Sequence, residues 1–482
     1  MRPSCYAPPP PEMLFTSLPF VILVLVAFAI YYLPLLRPWQ ITVLTVTSIL
    51  FYSWEDPILV FLLIASILIN VVTSYRIAIG RKSAQRFWAI MGVSLNLGLL
   101  FFFKYGPLVA QSLFGGDHGS VGHFFMSIPL PIGISFFTFQ GISLVIEVYR
   151  SKQPDDPFHY PEMVPDSFSE HLKNTMLFKA FFPSLVAGPI IKAHEFYPQI
   201  VPKTLAEINW SVVFRSLVVG YFLKMVVADN LKDSTFWIEY PSFLNQSRLT
   251  LVMLLFGYSM QIFADFAGYS LIAIGLAALF GYKLPQNFNY PYISRSFTEF
   301  WQRWHISLST WLREYLYIPL GGNRKGNVRT YVNLFIVMFL GGLWHGAAWS
   351  YAVWGSFHGL ALAVERFGGN WIRLPKHPVI SIIQAALVFS FVTIAWLLFK
   401  LPKFEHVLGY LNAMIHSTAP NNYWMVGHVL TYSAPVALYY GWHLLKQRCP
   451  KVHHCEFILF AILIAAIVLD SGTTGTFIYF QF

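Results

Sequence analysis

Twelve apolar runs of near-spanning length follow one another along this chain, near 14–34, 39–54, 57–74, 86–104, 126–149, 211–228, 249–280, 330–347, 348–365, 379–399, 428–446 and 457–475. About 20 helical residues cross a hydrocarbon core, and a chain in lipid must satisfy its backbone N–H and C=O groups internally. The runs therefore predict an all-α polytopic membrane protein with about 11–12 transmembrane helices. The run at 39–54 is short, and the one at 249–280 is long enough to tilt or kink. Composition agrees, with 56% hydrophobic and 11% charged residues, against roughly 45–50% and 25% in soluble domains. A single membrane domain is expected over 13–482. The proline-rich extension 1–12 before it lacks a signal-cleavage pattern.

Lysine and arginine outnumber aspartate and glutamate by 32 to 22. The excess sits mostly in short loops between apolar runs, the arrangement that fixes membrane orientation. Membrane lipid is thus the expected partner, and no nucleic acid. Placing Arg76, Arg81, Lys82 and Arg86 in the cytoplasm puts Arg150, Lys152, the stretch Arg295 to Arg329, and the groups Arg366, Arg373, Lys376 and Lys446, Arg448, Lys451 on the same side. The loop 111–123, without lysine or arginine, then lies outside with both termini; Lys400 and Lys403 are exceptions. Cys5, Cys449 and Cys455 make no disulfide framework. His453-His454-Cys455 has no second cluster to complete a coordination sphere, so no metal is expected.

The stretch 171–200 carries Lys179, Pro183, Gly188 and Pro189 in apolar surroundings. Broken backbone at membrane depth survives only against protein or a water-filled cavity, so a re-entrant segment is expected in preference to an interfacial amphipathic helix. Between Met260 and Gly359, Asp265, Glu299, Arg303, His305, His345 and His358 stand among apolar and aromatic residues. Ionisable groups in such places point to function by default. Glu299 and Arg303, spaced i,i+4, read instead as a structural pair. His358, in Gly355-Ser-Phe-His-Gly359, reads as a packing histidine in a helix contact of small residues.

His345 differs. It stands in FLGGLWHGAAW between Gly342 and Gly346, which leave room for a substrate or another backbone to approach. Its imidazole suits general-base work on a hydroxyl or thiol. His305, in FWQRWHISLSTW, is expected to share a helical face with Trp301 and Ser309. Nucleotide-binding loops, a G-x-S-x-G elbow and an H-E-x-x-H helix are all missing, which excludes the chemistries they carry. Chemistry or passage inside a membrane remains, so a transporter with an intramembrane proton path stays open as a second reading.

The block NFNYPYISRSFTEFWQRWHISLSTWLREYLYIPLGGNRKG (287–326) followed by GLWHGAAWSYAVWGSFHG (342–359) closely resembles the membrane-bound O-acyltransferase superfamily, in its bacterial alginate O-acetyltransferase-like branch. FFFKYG (101–106), SFFTFQGISLVIEVYR (135–150), FPSLVAGPI (182–190), QIFADFAGYSLIAIG (261–275) and the terminal FIYFQF extend the match. The resemblance implies a ring of tilted helices with re-entrant or interfacial helices around a catalytic core, here about 261–365. It places the catalytic histidine on His345 and the second family histidine on His305. Asp265, Trp304, Ser309 and Trp344 are implied near substrate, and the basic loop Asn323, Arg324, Lys325 near an anionic donor. Leu271 stands where this branch often places a second acidic residue and Glu147 where aspartate is more usual; both would tune the acceptor without removing the acyl-transfer chemistry. The implied reaction takes acyl groups from a cytoplasmic thioester such as acetyl-coenzyme A, with no permanently bound cofactor, across a bacterial inner membrane. The acceptor would be an envelope polysaccharide (alginate-like, cellulose or peptidoglycan), reached with a separate periplasmic acetyltransferase; D-alanyl export to teichoic acid is the close alternative.

Overall fold

A computed structural model describes residues 13–54, 56–114, 124, 128, 131–158, 160–186, 188–369, 377–449, 456–473 and 475. The extension 1–12, most of the loop 111–123, Arg373 and Lys376, the run 451–455 and the terminal FIYFQF lie outside them. Among the described residues every regular element is helical, as lipid solvation requires. Among the described residues each of the twelve apolar runs overlaps a helix, although 126–149 does so only from Ile134 and 457–475 only to Leu469. Five are continuous, long and apolar enough to cross a membrane by themselves: Pro57–Ile79, Lys82–Ala110, Trp210–Ile238, Arg248–Leu279 and Pro378–Lys400. The first two runs form a pair, Leu18–Tyr31 and Pro34–Ser53, bent by 105°, where Pro34 and Pro38 interrupt the hydrogen-bond ladder. The protein is a multi-pass membrane protein.

Arg248–Leu279 is the inner helix, 78% buried over its most apolar stretch. It packs against Trp210–Tyr221, Tyr423–Arg448 and Pro378–Lys400. Close approach to Trp210–Tyr221 requires the facing pair Gly220 and Gly268: a Cβ on either would stand within 3 Å of the other's carbonyl oxygen. Outer helices turn large apolar side chains outward, as at Phe61, Ile382 and Leu438, which suits lipid contact.

The stretch 171–200 breaks as expected. Helix Phe168–Ala180 gives way to the short turns Phe182–Leu185 and Ala193–Phe196, and most of the broken backbone is buried. Donors that helix geometry would have satisfied find side chains instead. Phe182 N–H donates to Ser48 Oγ at 3.1 Å, Ile190 N–H to Ser307 Oγ at 2.9 Å and His194 N–H to Glu147 Oε2 at 2.7 Å. An unsatisfied buried group would cost about 1–3 kcal/mol each. Protein thus takes the place of water, as in a re-entrant segment and unlike an amphipathic surface helix.

Candidate active site

His345 is the last residue of helix Asn327–His345, and after a short break the chain returns as Trp349–Gly369. The two helices therefore form a bent hairpin with His345 beside its bend. Its two helices touch backbone to backbone at Gly342 and Gly355, where a Cβ on Gly342 would stand 2.9 Å from Gly355 Cα. Of the two uses foreseen for the glycines, close backbone approach is the one served here. Gly346 lies against the ring of Tyr351.

The His345 side chain is buried, at 4% exposure. Around it stand Trp354 at 5.2 Å, Phe399 at 5.3 Å and His305 at 6.3 Å between ring centroids. One opening includes His345, and a second touches its neighbour Phe399. An apolar crevice of about 110 Å³ is lined by His345 itself with Ser309, Gly341 and Trp354 among others. A second cleft of about 530 Å³ is lined by Tyr351 and Phe399 together with Lys224, Asp229, Asp265 and Lys400. Phe399 is thus shared between the cleft and the His345 contact shell.

His305 departs from expectation. Helix is interrupted there: Phe297–Arg303 ends, His305 takes φ 45° and ψ 55°, and Ile306–Leu312 begins. The three residues Trp301, His305 and Ser309 therefore do not share one helical face, although Trp301 and Ser309 do line the crevice. Left-handed backbone is rare for a non-glycine residue and persists only where surroundings impose it. Asn287 does so here. Its carbonyl accepts from Ile306 N–H at 2.9 Å, and its Oδ1 accepts from Ser307 N–H at 3.3 Å and Ser307 Oγ–H at 2.6 Å. The His305 ring is fully buried, edge-on to Phe266 at 4.6 Å.

The remaining expected residues divide. Ser309 shares the crevice with His345. Trp344 stacks on Phe139 at 5.3 Å and lies 6.0 Å from the His305 ring. Trp304 is buried among Phe288, Phe300 and Trp396; such aromatic pairs contribute about 0.5–1.5 kcal/mol each. Asp265 pairs with Lys224 at 2.8 Å, and Lys224 also pairs with Asp229 at 2.8 Å. Asn323, Arg324 and Lys325 form an exposed turn just before Asn327, about 27 Å from His345 at the 1.5 Å helical rise. The structure does not bring them to the imidazole. Glu147 is fully buried and bonds to the Tyr315 hydroxyl and to His194 at 3.1 Å; it is absent from both openings. Glu299 and Arg303 pair at 2.8 Å, and His358 packs against Trp301 and Trp354, each in the structural role expected.

Sequence reasoning passed over Lys104, Lys224, Asp229 and Asn287. The first three are ionisable residues inside apolar runs or at their ends, a signal that was available. Asn287 had no such signal, because its work is defined by a turn eighteen residues away.

Residues 168–402 match the membrane-bound O-acyltransferase (MBOAT) family. The chain is similar to a probable alginate O-acetylase, AlgI, of Pseudomonas putida, at 37% identity over 402 residues, 80% of this chain and 77% of that protein. It is similar to a peptidoglycan O-acetyltransferase of Helicobacter pylori at 35% identity, over 77% of this chain and 73% of the relative. A teichoic acid D-alanyltransferase of Bacillus subtilis matches at 27% identity over 57% of this chain and 70% of its own length.

Proposed function

From the premise that this chain belongs to the membrane-bound O-acyltransferase family, we propose that it takes acetyl groups from a cytoplasmic thioester, acetyl-coenzyme A, and delivers them for O-acetylation of a cell-envelope polysaccharide. His345 acts as the base. The single observation that carries this reading is the place of His345, which lines an apolar crevice while its neighbour Phe399 lines a second, larger cleft. The order of runs read above carries Asp229, Glu239 and Lys400, which line that cleft, to the external face. The modest volume of the crevice suits a two-carbon acyl group over a long chain.

Chemistry follows from this placement. A thioester carbonyl is already electrophilic, so the protein must align it with a hydroxyl and remove one proton. Alignment of bound reactants supplies up to about 7–11 kcal/mol in favourable cases, and a positioned base about 10²–10⁴-fold. His345 takes the hydroxyl proton as the oxygen attacks; the new C–O bond forms, the C–S bond breaks, and the imidazolium returns the proton to the departing sulfur. His305 stands close enough to contact the acyl or hydroxyl group held by His345.

The O-acetyl reading is preferred to D-alanyl export because the acetyltransferase relatives match at higher identity and over more of the chain. A cytoplasmic-membrane location and a separate external acetyltransferase belong to the same proposal. The test supplies acetyl-labelled acetyl-coenzyme A to inverted membrane vesicles and follows label into macromolecules. Transfer lost on His345→Ala, with the variant present and folded, is the expected result. Transfer at the parental rate in that variant removes the proposal, and substrate movement without transfer of label would favour a transporter.

A further inference from the structure

The last turn of an α-helix leaves four carbonyls without intrahelical donors. Many helices close with a left-handed glycine that returns backbone N–H groups to them. Helix Asn327–His345 does not: Gly346 is extended, with φ −161°. Donors arrive from another helix. The Tyr105 hydroxyl donates to Leu343 O at 2.8 Å, and Lys104 Nζ donates to Trp344 O at 2.5 Å and to His345 O at 3.1 Å. Ser135 Oγ accepts the third Lys104 contact at 3.1 Å. Three N–H bonds of one ammonium thus meet three oxygens, and the side chain is buried at 6% exposure.

Local backbone makes this reach possible. Successive side chains on an α-helix diverge by about 100°, which would aim Lys104 and Tyr105 at different neighbours. At Phe101–Tyr105 the helix widens into a π turn, which narrows that divergence and lets both residues address one target. Such turns are frequent at functional sites. A cation at a helix C-terminus also opposes the negative end of the helix dipole.

We infer that Lys104 and Tyr105 are positioning residues that clamp the C-terminal turn of the His345 helix and so hold the imidazole at its aim in the crevice. The inference rests on the reading of His345 as the base. It assigns a purpose to the FFFKYG run: two adjacent polar side chains cap the helix end that carries the chemistry. A misplacement of 1 Å in a reacting group costs on the order of 10²-fold in rate, which sets the scale of the effect.

The experiment uses the vesicle assay, with labelled acetyl-coenzyme A as the probe, on the full chain and its variants, with rates expressed per folded protein. Lys104→Met is expected to lower the maximal rate about 10–100-fold, with KM for acetyl-coenzyme A within about two-fold and recovery of much of the rate in Lys104→Arg. Tyr105→Phe, which removes one hydroxyl, is expected to lower the rate about three-fold, and decides the matter if Lys104→Met fails to fold. Parental rates in both variants, or a loss carried wholly by KM, overturn the inference while leaving His345 as base. An Arg variant that folds and is no better than Met also overturns it. Parental transfer by His345→Ala, or no transfer by the parent, instead removes the reading on which it stands.

Discussion

The ring centroids of His305 and His345 lie 6.3 Å apart, although forty residues separate them in the chain. One rides the end of a long helix and the other a left-handed turn between two short ones. Two histidines delivered by unlike elements to one buried place can serve one reacting group from two sides. His345→Ala is expected to abolish transfer, and His305→Ala to lower it by a smaller factor within about 10²–10⁴-fold. Because the two act as a unit, the double variant should be no worse than His345→Ala alone. Independent, multiplying losses in vesicle assays would contradict this.

Asn287 helps to fix the His305 backbone by accepting from both following residues. Asn287→Ala deletes the two side-chain contacts to Ser307 and the bond that Asn287 Nδ2 donates to Ser270 Oγ at 2.9 Å, and is expected to destabilise the protein by about 1–3 kcal/mol, with a larger fractional loss of transfer than of folded protein. Asn287→Asp keeps the accepting oxygen and should retain more activity. Thermal melts in detergent beside transfer rates check both; equal behaviour of the two variants would dissociate the turn from catalysis.

The hairpin contact offers a purely mechanical prediction. A Cβ on Gly355 would collide with the backbone oxygen of Met338, which cannot move without shifting the helix. Gly355→Ala is expected to cost about 1–3 kcal/mol, as overpacking does. Gly98→Ala, where a Cβ meets nothing within 4 Å, should be neutral or slightly stabilising through helix propensity. Melting temperatures of the purified variants decide this, and a Gly355→Ala melt at the parental temperature would deny the close crossing.

His194 gives a pH signature outside the spans. Burial alone pulls its imidazole down, but the hydrogen bond and charge of Glu147 outweigh that, and its pKa is raised above the ordinary 6.5. A folded pKa above the unfolded one contributes stability that is fully present below about pH 6.5 and is lost as pH rises through the raised value. The melting temperature should therefore fall across that window more in the parent than in His194→Gln. Identical pH dependence in both would show that the ion pair contributes nothing to stability.

Much of the site was legible because its signals are local. A histidine among small residues in GGLWHG and an apolar run interrupted by prolines need no tertiary knowledge; the first ends beside a crevice and the second is a break in helix. His305 was located by residue type, yet its conformation was misjudged, since periodicity through 297–317 reads as unbroken helix. Asn287 overrides that periodicity from outside the segment. Lys104 and Lys224 are visible as charges in apolar runs, but what each one meets lies 240 residues away at Trp344 or 41 residues away at Asp265. Such pairings are set by how helices pack, and spacing along one helix does not encode them.

Lys224 yields the sharpest stability test. Its ammonium stands between Asp229 and Asp265 at 2.8 Å each and also meets Gly475 O at 3.1 Å; all three side chains are nearly inaccessible, at 5% exposure or less. Removing one member of a buried charge group costs about 3–5 kcal/mol, because the charges left behind remain buried, whereas replacing the whole group is often neutral. Lys224→Met is therefore expected to lower the melting temperature of the detergent-purified protein sharply. Adding Asp229→Asn and Asp265→Asn to it should recover most of that loss, since no uncompensated carboxylate then remains. The group also lines the second cleft, so the recovered triple variant separates two roles. Transfer restored along with stability marks the charges as scaffolding for the cleft. Transfer still absent in a stable protein marks them as part of the path by which the acceptor reaches Phe399 and His345.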